Sequence, residues 1–253
     1  MSLVFLGFIA ALIDSSFGMG YGILTPVMIF MGFDPILVVP VLLLSQMSAG
    51  FTGTIFHSIY ENVDLDSKEK RDVKITIVFT IFGMIGMGSA IFLAVSLPEF
   101  YMVSYIGIMT LVVGIILIKQ ISFQFSWNKI YFISGLAAFN KAITGGGYGP
   151  IATTGQIVTG RDHDEAVAVS IFSEAFLSGF GFLLYFILTG FANTELLIPL
   201  LVVMIISSIV ATPLGALIPK KISKKKGKKV IGWVSIILGI LTIGRLLIPI
   251  IAF

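Results

Sequence analysis

Apolar stretches separated by short polar ones run through the chain from residue 2 to residue 252. Six of them are long: 35 to 60, 73 to 96, 99 to 119, 164 to 191, 194 to 218 and 229 to 252. Within these, segments such as KITIVFTIFGMIGMGSAIFLAV (74 to 95) are apolar on every face and lack the alternation of a membrane barrel. In hydrocarbon the backbone must pair its own polar groups, so the pattern predicts helices, each with the roughly 20 residues that a crossing needs. Four stretches are shorter: 3 to 17 and 23 to 32, then 130 to 144 and 150 to 160. A ten-residue helix covers roughly 15 Å, half of the hydrocarbon core. They read as half-helices, in pairs, with the glycine clusters GMGYG (18 to 22) and TGGGYGP (144 to 150) between the members of each pair.

The pattern repeats. Tyr21 and Tyr148 stand 127 positions apart, and GFIAALIDSSFGMGYG (7 to 22) aligns with SGLAAFNKAITGGGYG (134 to 149). Further on, MGFDPILVVPVLLLSQ (31 to 46) aligns with TGRDHDEAVAVSIFSE (159 to 174) at an offset of 128. The expected fold is an all-α polytopic membrane protein. One transmembrane domain, 1–253, is divided into repeats 1–127 and 128–253, each a broken or re-entrant helical hairpin followed by three transmembrane helices.

Composition removes the alternatives. With 57% hydrophobic and 11% charged residues and a mean hydropathy of +1.06, the chain is an integral membrane protein without room for a soluble domain. It has no cysteine and only two histidines, His57 and His163, both read as solvated or interfacial. No metal, cofactor or nucleic-acid partner is expected, and an enzyme is not, since no metal-ligand spacing, nucleophile motif or carboxylate pair is present. MSLVFLGFIAALID carries no basic n-region and is read as structure, not as a signal peptide.

Cytoplasmic loops collect Lys and Arg. Lys68, Lys70, Arg71 and Lys74 mark one loop, and Lys220, Lys221, Lys224, Lys225, Lys226, Lys228 and Lys229 another. Lys119, Lys129 and Arg161 fall on the same side, whereas 32 to 35, 97 to 99 and 190 to 195 have no basic residue. The expectation is a multi-pass plasma-membrane protein with both termini outside and its two halves inverted. The lysine run is a topology signal first. The lipid bilayer is one partner, and a second copy of the chain stands among the expected ones, because lipid-facing and partner-facing surfaces are equally apolar.

Inverted repeats with interrupted helices are the signature of secondary transporters. Glycine lets the chain turn sharply and lets a solute approach amides that a Cβ would shield. The half-helix after each break presents unpaired N–H groups and a positive dipole end, which favour an anion. Pro150 and the Thr25-Pro26 pair suit the first turn of such a helix. Gly83, Gly86 and Gly88 read as packing glycines. The candidate binding residues are Gly18, Gly20, Tyr21, Gly22 and Thr25 at the first break, and Lys141, Thr144, Gly145, Gly146, Gly147, Tyr148 and Gly149 at the second.

Ionisable residues inside apolar stretches cost on the order of 3 kcal/mol each at the bilayer centre unless paired or solvated. Asp14, Lys141, Glu174 and Arg245 qualify. Asp14 and Lys141 are equivalent in the repeat, so Lys141 either bridges to Asp14 or lends its charge to the substrate. Glu174 is equivalent to Gln46, and each follows a serine, Ser173 and Ser45. Glu174 either pairs with Arg245 or carries a coupling proton, the pairing being favoured.

GFIAALIDSSFGMGYGILTP resembles the N-terminal signature of the sulfite exporter TauE/SafE family, also called TSUP, and GLAAFNKAITGGGYGP resembles its second glycine cluster. The resemblance implies a permease for small sulfur-containing anions, such as sulfite or organosulfonates. Carried over by position, Asp14 with Gly18, Gly20 and Gly22, and Gly145, Gly146, Gly147 and Gly149, match the clusters. Met19 and Asn140-Lys141 depart from the family's usual residues. The rival reading is an ion channel, since GYG also occurs in a carbonyl-lined cation filter. Such a filter needs four like-oriented strands, and this chain offers two copies of opposite orientation. The anion is therefore expected near the midplane between the two tips, with alternating access; the direction of flux and its coupling to protons or sodium are not fixed.

Overall fold

The computed structural model of the chain describes residues 2–18, 20–60, 71–119, 127–158, 163–190, 194–217 and 224–251. Ten helices and no strand occur among them. In order they are α1 (Ser2–Phe17), α2 (Tyr21–Phe30), α3 (Pro35–Ile59), α4 (Arg71–Ser96), α5 (Glu99–Lys119), α6 (Trp127–Thr144), α7 (Tyr148–Val158), α8 (His163–Thr189), α9 (Thr194–Leu217) and α10 (Lys224–Ile251). Five segments, in α3, α4, α5, α8 and α9, are long and apolar enough to cross a membrane, and α10 adds the shorter apolar stretch Gly232–Leu246. Outward-facing positions confirm the apolar surroundings: Ile77, Ile81, Ile85 and Phe92 line one exposed stripe of α4, and Ile198, Val202, Ile206 and Val210 one of α9.

The helices begin and end where local chemistry directs. Asp34 caps α3 by accepting from the Ile36 amide at 2.8 Å, with Pro35 in the first turn. Hydroxyls along the spans return to the carbonyl one turn back, as Thr54 does to Gly50 (2.7 Å) and Thr110 to Ile106 (2.7 Å). α10 begins five residues before the expected 229, because lysine supports a helix well and the lysine run continues the apolar stretch as a polar turn. Pro26 lies in the second turn of α2, not the first, because the helix starts at Tyr21.

Packing pairs the helices in a definite order. α3 and α8 run antiparallel through the centre. A Cβ added to Gly50 would come within 2.7 Å of the Ala175 Cβ, one on Gly179 within 2.9 Å of the Met47 sulfur, and one on Gly181 within 3.1 Å of Leu43. α5 and α10 are also antiparallel: Gly114 faces the Gly232 carbonyl and Gly239 faces the Gly107 carbonyl, at 2.7 and 2.9 Å from the added Cβ. In each helix of this second pair the glycines are seven residues apart, so they share one face and let the backbones approach. α1 runs parallel to α9, where Ser15 donates to the Thr212 carbonyl (2.8 Å) and Ser16 to that of Gly215 (3.0 Å). α6 runs parallel to α4, with Lys74 over the Trp127 ring at 4.8 Å and the Phe82 and Tyr131 rings 4.9 Å apart.

The two short pairs are hairpins. Gly20 turns back against α1, where a Cβ would overlap the Ala10 carbonyl. Ile23 then packs beside Ile13 and Phe17 on Val113 and Leu117, while Ile29 packs on Val103 and Ile106, so α2 descends along α5. In the second hairpin Gly155 lies against Ile133, with Ile133 Cγ2 2.7 Å from the added Cβ. One core gathers around α1, α2, α3 and α9 and a larger one around α4, α6, α7 and α8; the hairpin tips meet between them.

Candidate functional site

Each first hairpin helix stops at a glycine in the left-handed region. Gly18 has φ +71° and donates to the Asp14 carbonyl at 2.6 Å; Gly145 has φ +67° and donates to the Lys141 carbonyl at 2.8 Å. This is the αL helix terminus, which a Cβ disfavours. The equivalence at an offset of 127 thus extends to the backbone.

Past these stops the tips touch. Gly22 lies against the backbone of Gly147, a Cβ on Gly146 would overlap the Tyr21 carbonyl, and one on Gly149 would overlap the Gly18 carbonyl oxygen. The N-termini of α2 and α7 therefore abut, bringing two positive dipole ends together. Glycine is required here by contact, and in this conformation the contact leaves no space for an anion at these points.

Side chains brace the junction. Gln46 on α3 donates from Nε2 to the Gly145 carbonyl (2.6 Å), and Asn140 donates to that of Gly147 (3.2 Å). Thr144 Oγ1 lies 2.8 Å from the Asn140 carbonyl and also close to that of Gly146, donating to one at a time. Ser45 donates to the Met204 carbonyl (3.0 Å), so Tyr21 donates to Ser45 (3.0 Å). Ser173 donates to the Val169 carbonyl (2.9 Å), so Tyr148 donates to Ser173 (2.9 Å). Thr25 bonds back to the Tyr21 carbonyl (3.3 Å) and lies beside Gly145.

The charges pair differently from expectation. Lys141, fully buried, donates to Glu174 Oε1 at 2.6 Å. It does not bridge to Asp14, and Glu174 does not pair with Arg245. Asp14 instead turns its Oδ1 to the Gly20 amide at 2.9 Å, capping the start of α2. Arg245 stands 3.8 Å from Glu99, both of them part-exposed. The antiparallel register of α5 and α10 carries Arg245 to the Glu99 end of α5, away from the middle of α8. His57 is buried, not solvated, with Nε2 3.0 Å from the Ser15 carbonyl. The side chains of Pro150 and His163 lie outside the described part of the structure, as do Met19, Arg161 and the loop lysines 68, 70, 220 and 221 altogether.

A cavity of about 10 Å³ adjoins the junction, lined by Asp14, Ser15, Gln46, Glu174 and Thr212 among others. Gln46 Oε1 is buried without a partner, as are Asn140 Oδ1 and Thr153 Oγ1 nearby. Asn140 and Thr153 were not among the sequence candidates. Thr153 was detectable, since it aligns with Thr25 at an offset of 128 and faces Gly18 as Thr25 faces Gly145. A larger cavity of about 350 Å³ between α3, α4 and α8 is lined mainly by apolar groups such as Val73, Ile77, Ile81 and Phe172, and offers an anion little.

A family model described as Sulfite exporter TauE/SafE matches residues 3–242. The chain belongs to the sulfite exporter TauE/SafE family. The match takes in both hairpins, all three long helices of the first half and most of the second. No curated protein and no solved structure matches the chain. A TauE/SafE member is a membrane transporter, and the apolar spans fit that role.

Proposed function

We propose that this TauE/SafE protein carries small sulfur oxyanions, such as sulfite or an organosulfonate, across the plasma membrane by alternating access. The observation that carries this reading is the junction of the α2 and α7 N-termini beside the buried Lys141. Two helix ends of about half a positive charge each, with a buried ammonium, place three positive groups around the position that a compact anion would take. The two halves, 1–127 and 128–253, act as inverted repeats with both termini outside. Support for the inversion comes from the packing: the equivalent helices α3 and α8 are antiparallel, as are α5 and α10, and α1 on α9 matches α6 on α4.

Parting of the tips opens the site to one side. The Gly18, Gly20, Tyr21, Gly22 and Thr25 edge then faces the Thr144, Gly145, Gly146, Gly147, Tyr148 and Gly149 edge across the anion, and Lys141 turns from Glu174 toward it. The backbone amides of the tips supply fixed donors that need little reorganisation. Purified protein in proteoliposomes is expected to move sulfite or a small organosulfonate and to leave potassium behind. Potassium flux without anion flux would replace this reading with that of a cation channel.

A further inference from the structure

We infer that Asp14 is a proton-binding site, and that its proton is taken up together with the transported anion. The inference rests on the transport reading above and adds the coupling ion. Asp14 occupies, with its own carboxylate, the N-terminus of α2 that an incoming anion would use: Oδ1 accepts from the Gly20 amide at 2.9 Å. The corresponding position at the other tip is Lys141, so only the first tip holds a resident anion. Anion and Asp14 carboxylate compete for one positive helix end. Protonation of Asp14 removes the competitor.

A second observation points to the proton itself. Gln46, 2% exposed, uses its NH₂ group on the Gly145 carbonyl, which fixes the amide so that Oε1 is an acceptor. That oxygen has no donor, and Gln46 lines the same small cavity as Asp14 and Glu174. Carboxylates are acceptors only, so an acceptor beside them is satisfied by a protonated carboxyl or by a water that relays its proton. Glu174 is already bound as a carboxylate to Lys141, which leaves Asp14 to carry the proton. About 10 Å³ holds a single water at most, and a metal cation there would face the Lys141 ammonium.

The charge balance agrees. Lys141 and the two helix ends together about offset the two carboxylates, so an added monovalent anion leaves one negative charge in excess in a site shielded from water. One proton on Asp14 cancels it. The titratable groups around Asp14 are Glu174 on α8, Lys141 on α6, Tyr21 on α2 and, through Ser15, His57 on α3. Asp14 has no ion-pair partner among the described residues.

The test uses purified full-length protein. Sulfite and methanesulfonate are both tested in proteoliposomes loaded with a pH dye; movement of methanesulfonate, which has no titratable proton of its own, by the unaltered protein should carry protons with it, and a sodium gradient should have no effect. In Asp14→Asn, the protons moved per anion should fall to zero at whatever rate the anion still moves. Anion movement without protons in the unaltered protein, a sodium requirement, or undiminished proton movement in Asp14→Asn would each overturn the inference. Infrared difference spectroscopy between acid and alkaline pH decides it independently of flux. One component of the protonated-carboxyl signal of the unaltered protein should be missing in Asp14→Asn and shifted in Gln46→Met. A carboxyl signal left unchanged by Asp14→Asn overturns the assignment. Failure to move either anion while the infrared band behaves as expected would count against the sulfur-oxyanion reading and leave the proton site standing.

Discussion

The two hairpin tips share a backbone and differ in charge. Gly18 and Gly145 end their helices in the same left-handed conformation, and Tyr21 and Tyr148 each donate to a serine one helix away. Yet Asp14 stands where Lys141 stands, and Gln46 where Glu174 stands. After the glycines the paths diverge: Gly20 is right-handed at φ −67°, while Gly147 is left-handed at φ +71°. The conserved part of the design is the part that lets two backbones meet. The varied part sets what charge each tip brings: an acid at one helix start and a cation beside the other.

The largest effect should come from keeping the tips apart. A Cβ at Gly149 overlaps the Gly18 carbonyl oxygen, a backbone atom that cannot swing away. Gly18→Ala is milder: the Cβ meets the flexible Thr153 hydroxyl at 2.9 Å, and the left-handed conformation costs about 1–2 kcal/mol. Gly149→Ala is therefore expected to abolish anion flux, with a loss of monodisperse protein on size exclusion, whereas Gly18→Ala yields folded protein with a lowered unfolding midpoint. Wild-type flux in Gly149→Ala would mean that the tip contact is not part of the working protein.

Breaking the charges should rank next, and unequally. Lys141→Met leaves Glu174 buried without a partner, a loss of about 3–5 kcal/mol, and Lys141→Met with Glu174→Met recovers most of it. Asp14→Asn keeps an oxygen for the Gly20 amide and costs about 1 kcal/mol. Thermal unfolding in detergent measures all three. Equal shifts for Lys141→Met and Asp14→Asn would erase the asymmetry drawn between the tips.

Much of this was legible in the sequence because length and apolarity leave a membrane helix few options. The bounds of α5 match the apolar stretch 99 to 119, and those of α3 differ from it by one residue. The glycine stops were legible because a duplicated Gly before a short apolar segment has one conformational use that other residues lack. The partners of the charges were not. A helix that is apolar all round does not announce which face meets which neighbour, so lateral order stayed hidden, and with it the Lys141–Glu174 pair and the removal of Arg245 to Glu99. The burial of His57 was hidden for the same reason, since its cover is Ser15 on α1, 42 positions away.

The smallest prediction tests the shared part of the two tips most directly. Tyr21→Phe and Tyr148→Phe each delete one phenolic donor to a serine whose own proton is committed elsewhere, to Met204 in one half and to Val169 in the other. Each should cost about 1 kcal/mol, the ordinary worth of one hydrogen bond. The Lys141 ammonium stands 6.0 Å from the Tyr148 ring centroid, and phenylalanine keeps that ring, so the cation contact survives the substitution. Nothing remains to make the second tip more sensitive than the first, and the two midpoints should fall together. A much larger drop for Tyr148→Phe would show that its hydroxyl, unlike that of Tyr21, takes part in holding the charge pair, and that the asymmetry of the tips reaches into the backbone braces they have in common.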